Sequence, residues 1–175
     1  MDWLKDTLLL VSKPSRYLGN EINSIRKDPT KVRLKFALVF PELYEIGMSH
    51  LGLQILYFIL NSREDIMCER VFAPWVDLES ILRQHRQSLT SLESSIPLKE
   101  FDVIGFSLQS ELCYTNILNI LDLSHIPLRS QDRDETYPLI IAGGPCCFNP
   151  EPIASFFDAI VIGEAEEAKI GRAHV

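Results

Sequence analysis

Val103-Ile-Gly-Phe-Ser-Leu-Gln-Ser-Glu-Leu-Cys-Tyr-Thr-Asn-Ile-Leu-Asn-Ile-Leu121 decides the fold. Val103 to Ser107 is a short uncharged apolar run, which reads as a strand. Ile117, Leu118, Ile120 and Leu121 then recur at helical spacing, so a helix follows that strand. On either side the same rhythm repeats. Leu34-Lys-Phe-Ala-Leu-Val-Phe is a buried strand ended by Pro41, and Met48 to Asn61 carries Leu51, Ile55, Leu56, Phe58 and Ile59 at helical spacing, a face expected to pack on a sheet. Cys68-Glu-Arg-Val-Phe is a weaker second strand, followed by a helix from Leu78 to Gln87. Leu139-Ile-Ile-Ala is the fourth strand and Ala159-Ile-Val-Ile the fifth. Strands alternating with helices imply parallel pairing through right-handed crossovers. The expected class is α/β, a Rossmann-like (flavodoxin-like) doubly wound parallel sheet of about five strands in the order 2-1-3-4-5. An arm with a helical stretch, residues 1–32, precedes a domain spanning 33–168.

Composition agrees with one such domain. The chain has 175 residues, 46% hydrophobic and 23% charged, so it supports a core without disulfides or metals. No apolar run approaches the roughly 20 residues needed to span a bilayer. The start, Met1-Asp-Trp-Leu-Lys-Asp-Thr, lacks a secretory signal's order, and a cytoplasmic location is expected. A net charge of −7, with no dense Lys/Arg cluster beyond residue 35, argues against non-specific nucleic-acid binding. Cys68, Cys113, Cys146 and Cys147 lack the spacing of zinc ribbons or iron–sulfur motifs. They read as reduced thiols packed as small apolar groups.

The unusual residues fall where strands end. Pro41-Glu-Leu-Tyr-Glu-Ile-Gly-Met-Ser-His-Leu-Gly follows strand one, Ser107-Leu-Gln-Ser-Glu-Leu-Cys follows strand three, Gly143-Gly-Pro-Cys-Cys-Phe follows strand four, and Gly163-Glu-Ala-Glu-Glu follows strand five. In a doubly wound sheet these segments share the carboxyl edge, where ligands bind near the switch in strand order. The candidate binding residues there are Tyr44, Glu45, Gly47, His50, Ser107, Leu108, Gln109, Gly143, Gly144, Pro145, Gly163 and Glu164. Each glycine taken singly reads equally as a turn residue; their convergence on one edge favours a site. No Gly-x-x-x-x-Gly-Lys-Ser/Thr loop is present, and Gly47 and Gly52 have the wrong spacing for a dinucleotide fingerprint. Glu42, Glu45 and Glu111 have no paired partner in the sequence, so no catalysis is assigned to them.

These residues resemble a known group, the uncharacterised cobalamin-binding-domain radical SAM proteins. The resemblance runs from about Val11 to Glu167. Its most specific strings are Lys13-Pro-Ser-Arg-Tyr-Leu-Gly-Asn-Glu, Tyr44-Glu-Ile-Gly-Met-Ser-His-Leu-Gly-Leu-Gln-Ile-Leu, Arg70-Val-Phe-Ala-Pro-Trp, Gly105-Phe-Ser-Leu-Gln-Ser-Glu, Gly143-Gly-Pro-Cys-Cys-Phe-Asn-Pro and Phe157-Asp-Ala-Ile-Val-Ile-Gly-Glu. The resemblance implies that this part holds cobalamin's lower face and nucleotide tail, with Ser107, Gly143 and Gly144 leaving room for the tail. It further implies a partner in cis, a following barrel whose three cysteines bind a 4Fe–4S cluster that cleaves S-adenosylmethionine.

Cobalamin domains of the methionine-synthase type place Asp-x-His-x-x-Gly after strand one. Met48-Ser-His-Leu-Gly lacks that Asp and has its Gly one place early, so His50 reads as a helix-start or core histidine rather than a cobalt ligand. Ala165 stands where the family usually has Gly. The barrel's Cys-x-x-x-Cys-x-x-Cys motif is absent, and Lys169-Ile-Gly-Arg-Ala-His-Val resembles the in-frame translation of a common sequencing adapter. The chain is therefore expected to be a fragment, with 169–175 a non-native tail. The alternatives are a degenerate docking domain of the same kind of protein and an unrelated flavodoxin-like binding module.

Overall fold

The computed structural model describes residues 7–163; Glu164 and the 169–175 tail lie outside them. Five strands form one sheet: β1 Leu34–Phe40, β2 Ile66–Phe72, β3 Val103–Ser107, β4 Leu139–Gly143 and β5 Ala159–Ile160. All pairings are parallel and the order is β2-β1-β3-β4-β5. Among the described residues four α-helices lie between the strands: α1 Tyr44–Ser49, α2 Leu51–Ser62, α3 Val76–His85 and α4 Tyr114–Leu123. The architecture is a Rossmann-like α/β fold with the expected strand order. The arm contains a 3-10 turn, Pro14–Tyr17, and then runs irregularly to residue 33.

Alternation along the strands sorts the core into two faces. Ala37, Val39, Met67, Val71, Ile104, Phe106, Ile140 and Ala142 meet Leu78 and Leu82 of α3 and Ile117, Ile120 and Leu121 of α4. On the opposite face Phe36, Leu38, Phe40, Ile66, Cys68 and Phe72 meet Leu53, Leu56, Tyr57 and Leu60 of α2. The register pairs Phe36 with Val103 and Gly105 with Ile141, so Val103, Gly105, Leu139 and Ile141 belong to this second face.

Two expectations are corrected here. Of the five α2 residues expected to pack on the sheet, Leu56 is buried and Ile59 half-buried, while Leu51, Ile55 and Phe58 are exposed. The helix is apolar almost all round, so spacing alone does not select its buried side. The phase is set by its start: His50 breaks the run between α1 and α2 and caps α2, which turns Leu53, Leu56, Tyr57 and Leu60 inward. The fifth strand is also shorter than Ala159–Ile162, because only β4 pairs with it and the ladder ends at Ile160.

Strand β2 lies at the sheet edge but is not bare. Leu92 N–H donates to the Arg70 carbonyl, and Glu93 Oε2 accepts from Arg70 N–H at 2.7 Å. Arg70 is fully buried; its Nε meets Glu93 Oε1 at 2.7 Å and its guanidinium lies 4.3 Å from the Tyr57 ring centroid. Neighbouring Glu69 accepts from Ser91 Oγ at 2.5 Å. Pairing and hydrogen bonding are what let the edge strand bury Arg70, whereas at Glu69 only Oε2 is bonded, to Ser91 Oγ and the Ser94 amide, and buried Oε1 has no hydrogen-bond partner among the described residues.

Candidate functional site

Every strand points its carboxyl end at one rim, and the segments after β1, β3 and β4 singled out from the sequence start there, with Gly163 after β5. The structure divides them into residues used by the fold and residues left open.

After β1, most of the candidates hold the arm or the sheet. Tyr44 Oη donates to Glu21 Oε1 at 2.8 Å and its ring stands edge-on to Phe72. Burial, and then the Glu21 carboxylate, push its phenol up to about 12. Glu45 accepts from Arg16 Nε at 2.9 Å and Lys13 Nζ at 3.3 Å. Its own amide at the helix start, helped by those two cations, holds its carboxyl below the usual carboxylate range. A Cβ on Gly47 would lie 2.2 Å from the Phe72 ring, so close helix–sheet packing requires glycine there. His50 Nδ1 accepts the Leu53 N–H at 3.2 Å, and its ring lies 5.0 Å from that of Phe40. That nitrogen serves as the α2 N-cap, as the helix-start reading expects.

The loops after β3 and β4 are sewn together. Leu108 N–H donates to the Gly143 carbonyl at 2.8 Å, Cys146 N–H donates to the Leu108 carbonyl at 3.3 Å, and the Leu108 side chain is in the core. Gly144, at φ 111°, would place a Cβ 2.5 Å from the Leu108 carbonyl oxygen. The second residue of the diglycine is thus a packing glycine. Pro145 is exposed and opens a 3-10 turn, Pro145–Phe148.

Gly143 and Gly163 behave differently. Among the described residues, a Cβ on Gly143 would meet only Val161, at 3.8 Å, and one on Gly163 would meet nothing within 4 Å. Gly143 lies on the α2 face of the sheet beside Ser107. Ser107 is buried beneath the exposed Gln109, whose Nε2 donates to Ser107 Oγ at 3.2 Å. Ile46, Leu112, Phe148 and Ile162 are exposed in the segments around this rim. Small residues below and large apolar residues above suit a ligand or partner with an extended apolar surface.

The thiols take no part. All four cysteines are buried and none is in a disulfide, and burial pushes Cys113 and Cys147 up to about 11, so both stay protonated at neutral pH. Among the described residues, no three His, Cys, Asp or Glu side chains gather into a metal-holding group. None of the described helices is long and apolar enough to cross a membrane. A second crevice lies under the arm at the end of β2, between Arg16, Tyr44, Ala73 and Leu89. Sequence reasoning missed it, because it exists only through the arm's docking.

The family model for radical SAM proteins, N-terminal, matches residues 52–173. Uncharacterized protein MJ0966 of Methanocaldococcus jannaschii is 27% identical over 135 residues, which is 77% of this chain and 24% of that protein. The chain thus spans about a quarter of that relative's length. The matched segment takes in every strand but β1 and all the rim loops after β3, β4 and β5, and the chain belongs to the N-terminal family of radical SAM proteins.

Proposed function

We propose that this domain holds cobalamin at its carboxyl rim, with the nucleotide tail entering along the α2 face of the sheet and the corrin resting on the apolar rim. One observation carries the reading: among the described residues a Cβ at Gly143 would meet only Val161, at 3.8 Å, and Ser107 sits beside it, its Oγ accepting from Gln109 Nε2 at 3.2 Å. The residues present fit the group on this face, where a Cβ at Gly143 would occupy the space the tail needs. Ser107 Oγ and the Gln109 amide would hold polar groups of the tail, and Ile46, Leu112, Phe148 and Ile162 would shield the ring from water. Cobalamin, when bound, supplies a cobalt centre whose chemistry is the cofactor's own. With His50 Nδ1 committed to the α2 cap, this chain's part is to bind and orient rather than to ligate cobalt through that nitrogen. The 4Fe–4S cluster and S-adenosylmethionine belong, in this proposal, to a radical SAM barrel in cis that faces the same rim.

A second reading is a docking domain that carries no cofactor. The Leu108–Gly143–Cys146 seam favours it, since it spends much of the diglycine loop on internal bonds. Titration with hydroxocobalamin, followed by its visible spectrum and by co-elution on size exclusion, separates the two. Saturable spectral change with one equivalent retained supports cobalamin; an unchanged spectrum at tens of micromolar ligand leaves the docking domain.

A further inference from the structure

The register fixes which residues end the sheet side by side. Val39 stands opposite Phe106 and Ser107 opposite Gly143, so Phe40, Ser107 and Gly143 end β1, β3 and β4 in one row. This row lies on the α2 face, with adjacent strands about 4.8 Å apart. His50 sits over the β1 end of the row, its ring 5.0 Å from that of Phe40 and tilted 39° to it. Two further contacts hold the ring. Nδ1 accepts the Leu53 N–H at 3.2 Å, and a Cβ on Gly52 would stand 3.1 Å from Cε1. The glycine of Met48-Ser-His-Leu-Gly, one place early for the methionine-synthase type of motif, thus lets the imidazole fold back over the first turn of α2.

This cap decides where the imidazole proton resides. A neutral imidazole carries one N–H, and the nitrogen that accepts a hydrogen bond is the one without it. Leu53 N–H is directed at Nδ1, so the proton is on Nε2. The opposite tautomer would set Nδ1–H against the Leu53 N–H, donor against donor, and leave the start of α2 uncapped. In a metal-binding histidine a carboxylate holds the proton on one nitrogen and frees the other. Met48 stands where the Asp of the methionine-synthase type would be, and its thioether cannot do this. Among the described residues Nε2 has no hydrogen-bond partner, and the side chain is half-buried rather than enclosed. We infer that His50 is a positioning donor: its Nε2–H hydrogen-bonds a carbonyl oxygen of the bound corrinoid, and neither ring nitrogen is available to cobalt. The inference rests on the cobalamin reading, since cobalamin's ring is fringed with carboxamides that present such oxygens. One row then offers an N–H at β1, the Ser107 hydroxyl with its Gln109 amide at β3, and the glycine gap at β4.

The first readout needs no cofactor. Long-range proton–nitrogen correlation spectra of the protein labelled with nitrogen-15 histidine, in alkaline buffer without cobalamin, assign the tautomer, and His50→Asn identifies the signal. The expected pattern is a protonated Nε2 and a bare Nδ1; the reverse pattern, or an even mixture, would overturn the inference whatever cobalamin does. The second readout is binding. Asn keeps a side-chain oxygen to cap α2 but lacks the ring N–H. His50→Asn should therefore keep its circular dichroism spectrum and bind hydroxocobalamin about fivefold more weakly, the worth of one neutral hydrogen bond. After reduction to the cob(II) form, electron paramagnetic resonance spectra of the labelled and unlabelled proteins should superimpose. An unchanged affinity, or a line splitting that follows the histidine label, would overturn the inference. No uptake of cobalamin by the parent protein would instead sink the cobalamin reading and the proposed acceptor together, with the tautomer standing as measured.

Discussion

Replacing Gly144 with Ala tests whether the diglycine is one feature or two. Gly144 has φ 111° and ψ 178°, a region held almost only by glycine, and an L residue there costs about 1–3 kcal/mol. The added Cβ would also fall 2.5 Å from the Leu108 carbonyl oxygen and 3.0 Å from its nitrogen, both backbone atoms that cannot rotate away. Relief stretches the Leu108-to-Gly143 and Cys146-to-Leu108 hydrogen bonds, at about 1 kcal/mol each. Alanine's smaller unfolded-state entropy returns about 0.4–1 kcal/mol. The net loss is about 2–4 kcal/mol. In urea, with a slope of about 2 kcal/mol/M, the midpoint should fall by about 1–2 M with the slope unchanged. Gly143→Ala, whose Cβ meets only Val161 at 3.8 Å, should stay within about 0.5 kcal/mol of the parent. Equal midpoints for Gly144→Ala and the parent, or equal losses for the two variants, would refute the assignment of separate roles.

Glu93→Gln keeps the shape but strips the charge that faces Arg70 at 2.7 Å, and urea unfolding should show a loss of about 3–5 kcal/mol; a loss below about 1 kcal/mol would mean the pair is dispensable. Lys27 Nζ donates to the carbonyls of Asn61, Arg63 and Ile66 at 2.8, 2.5 and 2.5 Å, fastening the arm to the end of α2. Lys27→Met should cost about 1.5–3 kcal/mol and speed proteolysis of the arm before the rest unfolds; an arm cut at the parental rate would contradict this. Tyr44 is neutral in the fold up to about pH 12 against 10.0 for the free side chain, because burial and Glu21 disfavour the phenolate. Its stabilising effect is therefore complete below pH 10 and is lost as pH rises from there through 12. Tyrosinate absorbance titrations of the parent and Tyr44→Phe should differ by one phenol near pH 12; a difference near pH 10 would show that Tyr44 is neither buried nor bonded to Glu21 as described.

Strand β3 and the buried thiols were legible from apolar runs, turn residues and cysteine spacing, because those signals are local; the strand order is expected by analogy with flavodoxin-like sheets and is a non-local property that the folded sheet supplies. His50 reads from the sequence as a helix-start or core histidine within a helix from Met48; its role as the α2 cap depends on the break after Ser49, which the apolar spacing does not show. The phase of α2 was not legible, since Leu51, Ile55 and Phe58 are as apolar as the residues that are buried. Nor was the burial of Arg70 and Glu69, whose partners Glu93 and Ser91 come from a loop more than 20 positions away. The candidate residues that the structure describes lie in segments at the carboxyl ends of the strands, but which of them the fold itself uses was hidden. Gly47 and Gly144 answer to Phe72 and Leu108, contacts made only by the folded chain, whereas among the described residues nothing crowds a Cβ at Gly143 or Gly163.

The most direct test of the cobalamin reading compares cobalamin with dicyanocobinamide, which keeps the corrin but lacks the nucleotide tail, by equilibrium dialysis against this domain. If the tail lies on the α2 face at Gly143, cobalamin should bind about tenfold tighter or better, a difference of about 1.4 kcal/mol or more. Gly143→Val should then remove that advantage while leaving the circular dichroism spectrum unchanged. Equal affinities for the two corrinoids, or an advantage that survives Gly143→Val, would contradict the account.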